Sequence, residues 1–240
     1  MGDMTRLVIA TRNSHKTREI RAMLGGSIQI LSLNDYPEAP ETAEDAGSFA
    51  GNATKKAVEL ARYLVARPHL KPWSPSLVLA DDSGLEVDAL NGAPGVYSAR
   101  FAALEKGEGT PPHASGNTSD ADNNARLLRL MEGVSSGKRT ARFRCVLALT
   151  EFLLEPQKVS SPVCFADELE WRTELFEGVC EGRLDISPRG TAGFGYDPLF
   201  IPAGYRQTFA ELDPETKNRI SHRAKALKKL KDRLLKQVQS

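Results

Sequence analysis

The chain has 240 residues, of which 40% are hydrophobic, and its formal net charge is +1. This length and composition fit one large or two small folded domains, and so small a charge predicts neither nucleic acid nor membrane as a partner. No stretch of the sequence approaches the roughly 20 apolar residues of a membrane span. Three isolated cysteines predict neither a disulfide framework nor a zinc site. Because no signal-peptide pattern is present, we expect a cytoplasmic protein.

The first elements in chain order are a strand, a polar turn and a helix. Residues 7–10 are apolar and predict a strand, and apolar residues at helical spacing predict a helix over 16–24. A helix N-terminus carries free N–H groups and a partial positive charge, to which Lys16 adds a full charge. The segment therefore suits a phosphate group, although the P-loop spacing is absent and an ordinary structural helix start is the competing interpretation.

A short strand is predicted over 28–32, an acidic loop over 34–47 and a helix over 49–66. The helix prediction depends on one apolar face, formed by Ala53, Ala57, Leu60, Ala61 and Leu64.

The next segment is the most informative in the chain. The apolar run 77–80 predicts a buried strand, and the sequence D-D-S-G at 81–84 predicts a turn before a second strand over 85–87. Adjacent side chains on an extended backbone point in opposite directions, so one of Asp81 and Asp82 can face a site while the other anchors the turn. Carboxylates at the end of a buried strand often serve as metal ligands or general bases. A plain strand-capping turn is the alternative.

Further along the chain, a helix is predicted over 120–131 with Ser119 as its cap. Residues 139–152 and 175–182 predict long strands that pair antiparallel, and a brief helix starts at Asp213-Pro214. Because strands and helices are mixed, we predict an α/β fold with a mixed sheet.

Two segments near the C-terminus combine glycine, aromatic and cationic residues. In G-F-G-Y-D-P-L-F at 193–200, the flanking glycines allow a ligand to approach the aromatic ring, although a tight loop with Phe194 in the core is also possible. The sequence K-N-R-I-S-H-R at 217–223 places three cations and a histidine before a final helix, which Ser221 is predicted to cap. That helix is lysine-rich, but its apolar stripe favours docking on the core over RNA binding.

Five blocks of the sequence resemble the inosine triphosphate pyrophosphatase family, whose members hydrolyse non-standard purine nucleoside triphosphates. The first two are A-T-R-N-S-H-K at 10–16 and F-A-G-N-A-T-K-K-A at 49–57. The longest is A-D-D-S-G-L-E-V-D-A-L-N-G-A-P-G-V-Y-S-A-R-F at 80–101, and the last two are the C-terminal segments just described. Any one block could arise by chance, whereas all five in the family's order make the resemblance highly specific.

The resemblance implies an elongated, twisted mixed sheet flanked by helices, forming a single domain of two lobes with a central cleft. It also implies a homodimer. The chain is longer than the family requires near 69–76, 105–117 and 157–173, which we interpret as surface-loop insertions.

The resemblance further implies that the substrate is a purine nucleoside triphosphate and that Mg²⁺ is the cofactor. Asp82 matches the family's general base, which activates a water for attack on the α-phosphorus so that pyrophosphate leaves. Asp82, with Glu44 or Asp45 as alternatives for a second acidic position, would contact the metal. The residues that match the catalytic positions are Asp81, Asp82, Lys16 and Lys56.

Phe194 would stack on the purine, and Asp197, His222 and Arg223 would read its edge. A cationic donor such as Arg223 favours the six-oxo group of hypoxanthine and xanthine over the amino group of adenine. The residues that match the family's substrate-binding positions are Thr11, Arg12, Asn13, Ser14, His15, Lys16, Ser83, Phe194, Gly195, Tyr196, Asp197, Lys217, His222 and Arg223.

The chain departs from the family pattern at two positions near the phosphates. Arg12 stands where the family has glycine, and Gly51 stands where it has an acidic residue. Two rival functions therefore remain: a pyrophosphatase for another modified nucleotide, and a nucleotide-binding regulator without catalysis. Pyrophosphate release measured over a substrate panel separates them.

Overall fold

A computed structural model describes residues 6–25, 28–67, 76–105, 117–152 and 172–237. Their strands are β1 (Arg6–Ile9), β2 (Gln29–Ser32), β3 (Ser76–Val87), β4 (Thr140–Phe152), β5 (Arg172–Leu184) and β6 (Phe200–Pro202). Their α-helices are α1 (Ser14–Leu24), α2 (Phe49–Val65), α3 (Asp120–Leu130), α4 (Pro214–Ile220) and α5 (His222–Gln237). The predicted insertions near 69–76, 105–117 and 157–173 lie, apart from residues at their ends, outside the described residues.

The strands form one six-stranded mixed sheet in the order β2-β1-β3-β4-β5-β6. Strand β1 runs parallel to both β2 and β3, with Leu7 opposite Ile30 on one side and Leu77 on the other. Strands β5 and β6 are antiparallel. The α/β class and the mixed sheet are therefore confirmed.

The two long strands β4 and β5 are neighbours in this sheet and run antiparallel, as predicted. At one end the N–H of Leu184 donates to the carbonyl of Arg139 at 2.8 Å, and at the other the hydroxyls of Thr150 and Thr173 are 2.9 Å apart. The start of β4 thus meets the end of β5, and the end of β4 meets the start of β5.

The chain divides into two compact units. The first contains the described residues within Met1–Ala46, Ala50–Asp81 and Leu147–Phe176, and the second those within Gly47–Phe49, Asp82–Val146 and Glu177–Ser240. The core of the first unit is aliphatic, and it includes the fully buried residues Leu7, Ile9, Ile20, Leu64 and Leu79. The core of the second combines aliphatic residues with an aromatic cluster, in which the ring centroid of Phe143 lies 4.7 Å from that of Phe200 and 5.9 Å from that of Phe209.

Residues 81–84 belong to a strand, so the predicted turn at this sequence is wrong. Strand β3 continues unbroken from Ser76 to Val87. A Cβ atom at Gly84 would lie 2.4 Å from Oγ of Ser98 and 2.5 Å from the carbonyl oxygen of Gly95. Glycine is therefore required by a close approach of backbone to the strand, and not by a turn conformation. Both aspartates consequently lie on extended, buried backbone.

Several helices begin directly after a residue whose side chain caps the helix N-terminus. Helix α1 begins at Ser14, two residues earlier than predicted, because Asn13 acts as its N-cap. The predicted caps Ser119, Asp213 and Ser221 accept hydrogen bonds from the N–H groups of Asp122, Thr216 and Ala224. Among the helices that the structure describes, none has the length and apolar character of a bilayer-spanning segment.

Candidate active site

The turn after β1 and the first turn of α1 carry the predicted phosphate-side residues. The N–H of Asn13 donates to Oγ1 of Thr11 at 3.1 Å, and Oδ1 of Asn13 accepts from the N–H groups of His15 at 2.9 Å and Lys16 at 3.1 Å. These two N–H groups at the helix start are therefore already capped. Ser14 and His15 are exposed, whereas Lys16 is partly buried.

Arg12 has a structural partner within the first unit. Its guanidinium donates to the carbonyls of Leu33 at 3.0 Å, Pro37 at 3.3 Å and Ala39 at 2.8 Å. Guanidinium donors form a fixed planar fork, and three of its N–H groups are used here. Arg12 thus ties this turn to the segment after β2, and its predicted contact with substrate stays a prediction.

Four charged groups of the first unit form one hydrogen-bonded network. Nζ of Lys16 donates to Oδ1 of Asp81 at 2.5 Å and lies 3.3 Å from the carbonyl oxygen of the same residue. Nζ of Lys56 donates to that carbonyl oxygen and to Oε1 of Glu44, each at 2.9 Å. Two ammonium groups thus balance two carboxylates, and the side chain of Asp81 has 0% exposure. A phosphate could compete with these carboxylates for both lysines.

Glu44 and Asp45, the two candidates for the second acidic residue at the metal, have different partners in the loop before α2. Glu44 belongs to the network with Lys56, whereas Asp45 pairs at 2.6 Å with Lys55 on the exposed side of the helix. The hydrogen bond that Lys55 donates to the carboxylate of Asp45 raises the pKa of Lys55. Oδ1 of the fully buried Asn52 accepts from the N–H of Ala46 at 3.0 Å and fixes the end of this loop.

In the part of the chain that the structure describes, no three histidine, cysteine or acidic side chains form a preassembled metal cluster. The polar side chains around the candidate site are oxygen donors of the kind that Mg²⁺ prefers. Mg²⁺ in nucleotide enzymes is usually held by one or two carboxylates together with substrate phosphates and waters. The donor chemistry therefore fits an ion that binds with the substrate.

In the second unit, β3 continues with Asp82 and Ser83. Asp82 is 5% exposed. Arg223, at 1% exposure the largest fully buried side chain, donates from Nη2 to Oγ of Ser83 at 3.2 Å. The first turn of α5 is thus joined to the strand that carries the predicted general base.

The loop before β6 arranges an aromatic ring beside cations. The carboxylate of Asp197 accepts from the N–H of Phe194 at 2.8 Å and from Nζ of Lys217 at 2.6 Å. Nζ of Lys217 lies 5.0 Å from the centroid of the Phe194 ring, and Cζ of Arg223 lies 5.8 Å from it. Phe194 is only partly buried, so part of its ring can contact a planar ligand, while the two cations beside it are buried.

Tyr196 and His222 are more deeply buried than their predicted roles suggest. The hydroxyl of Tyr196 donates to the carbonyl of Ser98 at 2.9 Å, and burial raises the pKa of Tyr196 above its usual range. The imidazole of His222 is 5% exposed and stacks on Phe143 with the ring centroids 4.8 Å apart. Both side chains therefore pack in the core, and their predicted contacts with substrate stay predictions.

Two residues of this loop's surroundings were not predicted. Asp120 and Asn124, in the first part of α3, hydrogen-bond to the backbone of Gly195. Sequence spacing indicated a capped helix here, but nothing local linked it to a loop 75 residues further along the chain.

The model of the Ham1 family matches residues 7–233. A dITP/XTP pyrophosphatase of Desulforamulus reducens is 45% identical over 225 residues, which are 93% of this chain and 92% of that protein. A dITP/XTP pyrophosphatase of Geobacter sulfurreducens is 46% identical over 232 residues, covering 96% and 97% of the two chains. The solved structure of a HAM1 protein from Coxiella burnetii superposes with a TM-score of 0.71 at 33% identity, covering 97% of this chain and all of that one.

The chain therefore belongs to the Ham1 family. This membership confirms the resemblance inferred from the five sequence blocks, and the structural match extends it to the fold.

Proposed function

We propose that this protein is a nucleoside triphosphate pyrophosphatase that hydrolyses the non-standard purine nucleotides ITP, dITP and XTP. The products are the nucleoside monophosphate and pyrophosphate. The observation that carries the proposal is the 45% identity to a dITP/XTP pyrophosphatase over nearly the whole of both chains. The lysine and carboxylate network around Asp81 supports it, because a triphosphate needs cationic groups to neutralise its charge.

In the proposed reaction, a water oxygen forms a bond to the α-phosphorus and the bond between that phosphorus and the bridging oxygen of pyrophosphate breaks. Asp82 accepts the proton of the attacking water. Lys16 and Lys56 bind phosphate oxygens as the negative charge moves onto the leaving pyrophosphate. Because Asp81 orients both lysines, through its carboxylate and its carbonyl, it acts as their support.

Mg²⁺ is the cofactor that we propose. Asp82 and Glu44 would provide carboxylate oxygens suited to it, and we favour Glu44 over Asp45 because Glu44 accepts a hydrogen bond from Lys56, which we place at the phosphates. When bound, the ion supplies neutralisation of the triphosphate charge.

Base selection follows from the donors around Phe194. Arg223 has only N–H donors and Lys217 has only ammonium donors. Lys217 also donates to Asp197 and Arg223 to Ser83. An oxygen at purine position six can accept a further hydrogen bond from these cations, whereas the amino group of adenine presents another donor and cannot. Discrimination that depends on such a hydrogen bond is strong. We therefore propose that these two cations discriminate ITP and XTP from ATP.

By the same family relationship we propose a cytoplasmic homodimer with no nucleic-acid or membrane partner. Light scattering on the purified protein measures the mass and checks the dimer.

A substrate panel tests the proposed function against its rivals. ITP, dITP, XTP, ATP, GTP and modified pyrimidine triphosphates are each incubated with the protein, and the nucleotide product and pyrophosphate are quantified. We expect the monophosphate and pyrophosphate in equal amounts, with the six-oxo non-standard purines fastest. Preference for a modified pyrimidine would identify the rival substrate class, and binding without turnover of any nucleotide would identify a regulator.

A further inference from the structure

Helix α3 binds the loop that carries Phe194. The N–H of Gly195 donates to Oδ2 of Asp120 at 2.6 Å, and the carbonyl of Gly195 accepts from Nδ2 of Asn124 at 2.9 Å. Asp120 and Asn124 are four residues apart, so they lie on the same face of the helix. Both polar backbone groups of the residue after Phe194 are therefore held by one helical face.

The helix is itself fixed to the neighbouring segment Gly95–Glu105. Oδ1 of the buried Asn123 accepts from the N–H of Ala102 at 2.8 Å. The same segment provides the Ser98 carbonyl that accepts from the hydroxyl of Tyr196. Gly195 and Tyr196 are thus attached to α3 and to the segment Gly95–Glu105, which are bonded to each other. The position of the loop therefore depends on these two elements.

A cavity of about 440 Å³ lies between the helix and the loop. Residues that line it include Asp120, Asn124, Leu128, Gly193, Phe194 and Gly195. Because side chains do not fill this space, the loop and the helix are not closely packed here. The two hydrogen bonds to Gly195 therefore contribute to the loop position on this side, beside the bonds of Tyr196 and Asp197. The space leaves room for the loop to move when the bonds to Gly195 are lost.

We propose that Asp120 and Asn124 are positioning residues for Phe194: by holding the Gly195 backbone they fix the aromatic ring beside Lys217 and Arg223. Given the proposed function, this placement sets the affinity for the six-oxo purine. Neither residue touches the reacting phosphate groups in this account. Their loss should therefore weaken substrate binding and base preference much more than the chemical step.

Hydrogen exchange tests the support independently of any substrate. In Asp120→Ala, we expect the amides of residues 193–197 to exchange at least about tenfold faster, because the acceptor of the Gly195 N–H is gone. Asp120→Asn retains an acceptor oxygen and should restore slow exchange. Asp122→Ala is the matched control, since Asp122 lies in the same helical turn and its carboxylate accepts from the hydroxyl of Ser119 and not from Gly195.

Steady-state kinetics with ITP and ATP test the consequence. We expect Asp120→Ala to raise the KM for ITP about tenfold, the scale of one lost hydrogen bond to a charged group, with kcat within about twofold of wild type. Asn124→Ala should raise KM about threefold, because its bond is between neutral groups. Asp120→Asn and Asp122→Ala should keep the wild-type KM and preference.

The outcomes separate the two proposals. Unchanged exchange at 193–197 in Asp120→Ala would overturn the support by α3. Faster exchange with unaltered KM and ITP preference would overturn the positioning role. An equal loss of kcat in Asp120→Ala and Asp122→Ala would reveal a general structural defect and overturn it as well. If the wild-type protein releases no pyrophosphate while Asp120→Ala exchanges faster than wild type at 193–197, the proposed function is refuted. The attachment of the loop to α3 is then still supported.

Discussion

Gly178 in β5 allows the N-terminal turn of α5 to approach the sheet closely enough to place His222 and Arg223. A Cβ atom at this position would lie 2.1 Å from the carbonyl oxygen of His222 and 2.6 Å from the backbone N of Ala226. Backbone atoms cannot rotate out of the way as side chains do. Replacement by alanine would therefore displace the first turn of α5 by about 1 Å.

The magnitude follows from that displacement. Overpacking of this kind costs about 1–3 kcal/mol in the free energy of unfolding. Arg223 donates to Ser83 across 3.2 Å, a distance that a shift of this size would lengthen beyond a hydrogen bond. Misplacement of a binding group by about 1 Å can lower kcat/KM by about 100-fold. We therefore expect Gly178→Ala to lose both stability and preference for ITP over ATP.

Two other glycines provide matched controls. A Cβ at Gly182, on the same strand, would lie 2.3 Å from the carbonyl oxygen of Ile201 and 2.6 Å from the ring of Phe200, so Gly182→Ala should strain the core and not α5. At Gly137 a Cβ meets nothing within 4 Å, so Gly137→Ala should be neutral. Urea unfolding and kcat/KM for ITP and ATP are measured for all three. If Gly178→Ala keeps as much ITP preference as Gly182→Ala, the close approach of α5 to Gly178 does not place Arg223, and the reasoning is refuted.

Three further substitutions test other parts of the account. Lys56→Met removes the bonds to Glu44 and to the carbonyl of Asp81, and should lower the free energy of unfolding by about 1.5–3 kcal/mol in urea titrations while reducing kcat/KM for ITP. Arg12→Gly should lower the urea midpoint through its three lost carbonyl bonds but leave the KM for ITP within about twofold. Burial raises the pKa of Cys180 from 9.0 to about 11, so the unfolded thiol ionises first as pH rises. The stability that this thiol contributes is complete below pH 9.0 and is lost as pH rises to about 11. Wild type should accordingly lose more stability than Cys180→Ala over this interval.

For each of these three substitutions, a different result would contradict the role assigned to the residue. A normal urea midpoint in Lys56→Met would show that its ion pair contributes nothing to stability. A large rise in KM in Arg12→Gly would return Arg12 to the phosphate site, where the sequence first placed it. Parallel pH profiles for wild type and Cys180→Ala would remove the thiol as a source of the alkaline loss.

Local patterns predicted most elements because the determinants of those elements are local. The apolar face of α2 predicted 49–66, and the helix spans Phe49–Val65. The error at 81–84 arose because D-D-S-G has the composition of a turn, whereas these residues continue a strand that lies between β1 and β4 in the sheet. Propensity over a few residues carries no information on such pairing.

In the candidate site, too, the sequence identified residues but not their tertiary contacts. The five sequence blocks identified Lys16, Asp81 and Lys56 through resemblance, and the structure joins them by hydrogen bonds across 25 to 65 residues of chain. The partners of Arg12 and the attachment of Gly195 to α3 depend on tertiary contacts that no local pattern encodes.

The most direct test of the central claim is pyrophosphate release from ITP with Mg²⁺ by wild type, Asp82→Asn and the control Asp88→Asn, whose native carboxylate binds Arg142 on the exposed side of the protein. Loss of a general base lowers turnover by about 10²–10⁴-fold. We predict a fall of this size in Asp82→Asn, with the urea midpoint and ITP binding retained, and normal turnover in Asp88→Asn. Turnover by Asp82→Asn within about tenfold of wild type would contradict the role of Asp82 as the base and with it the proposed mechanism.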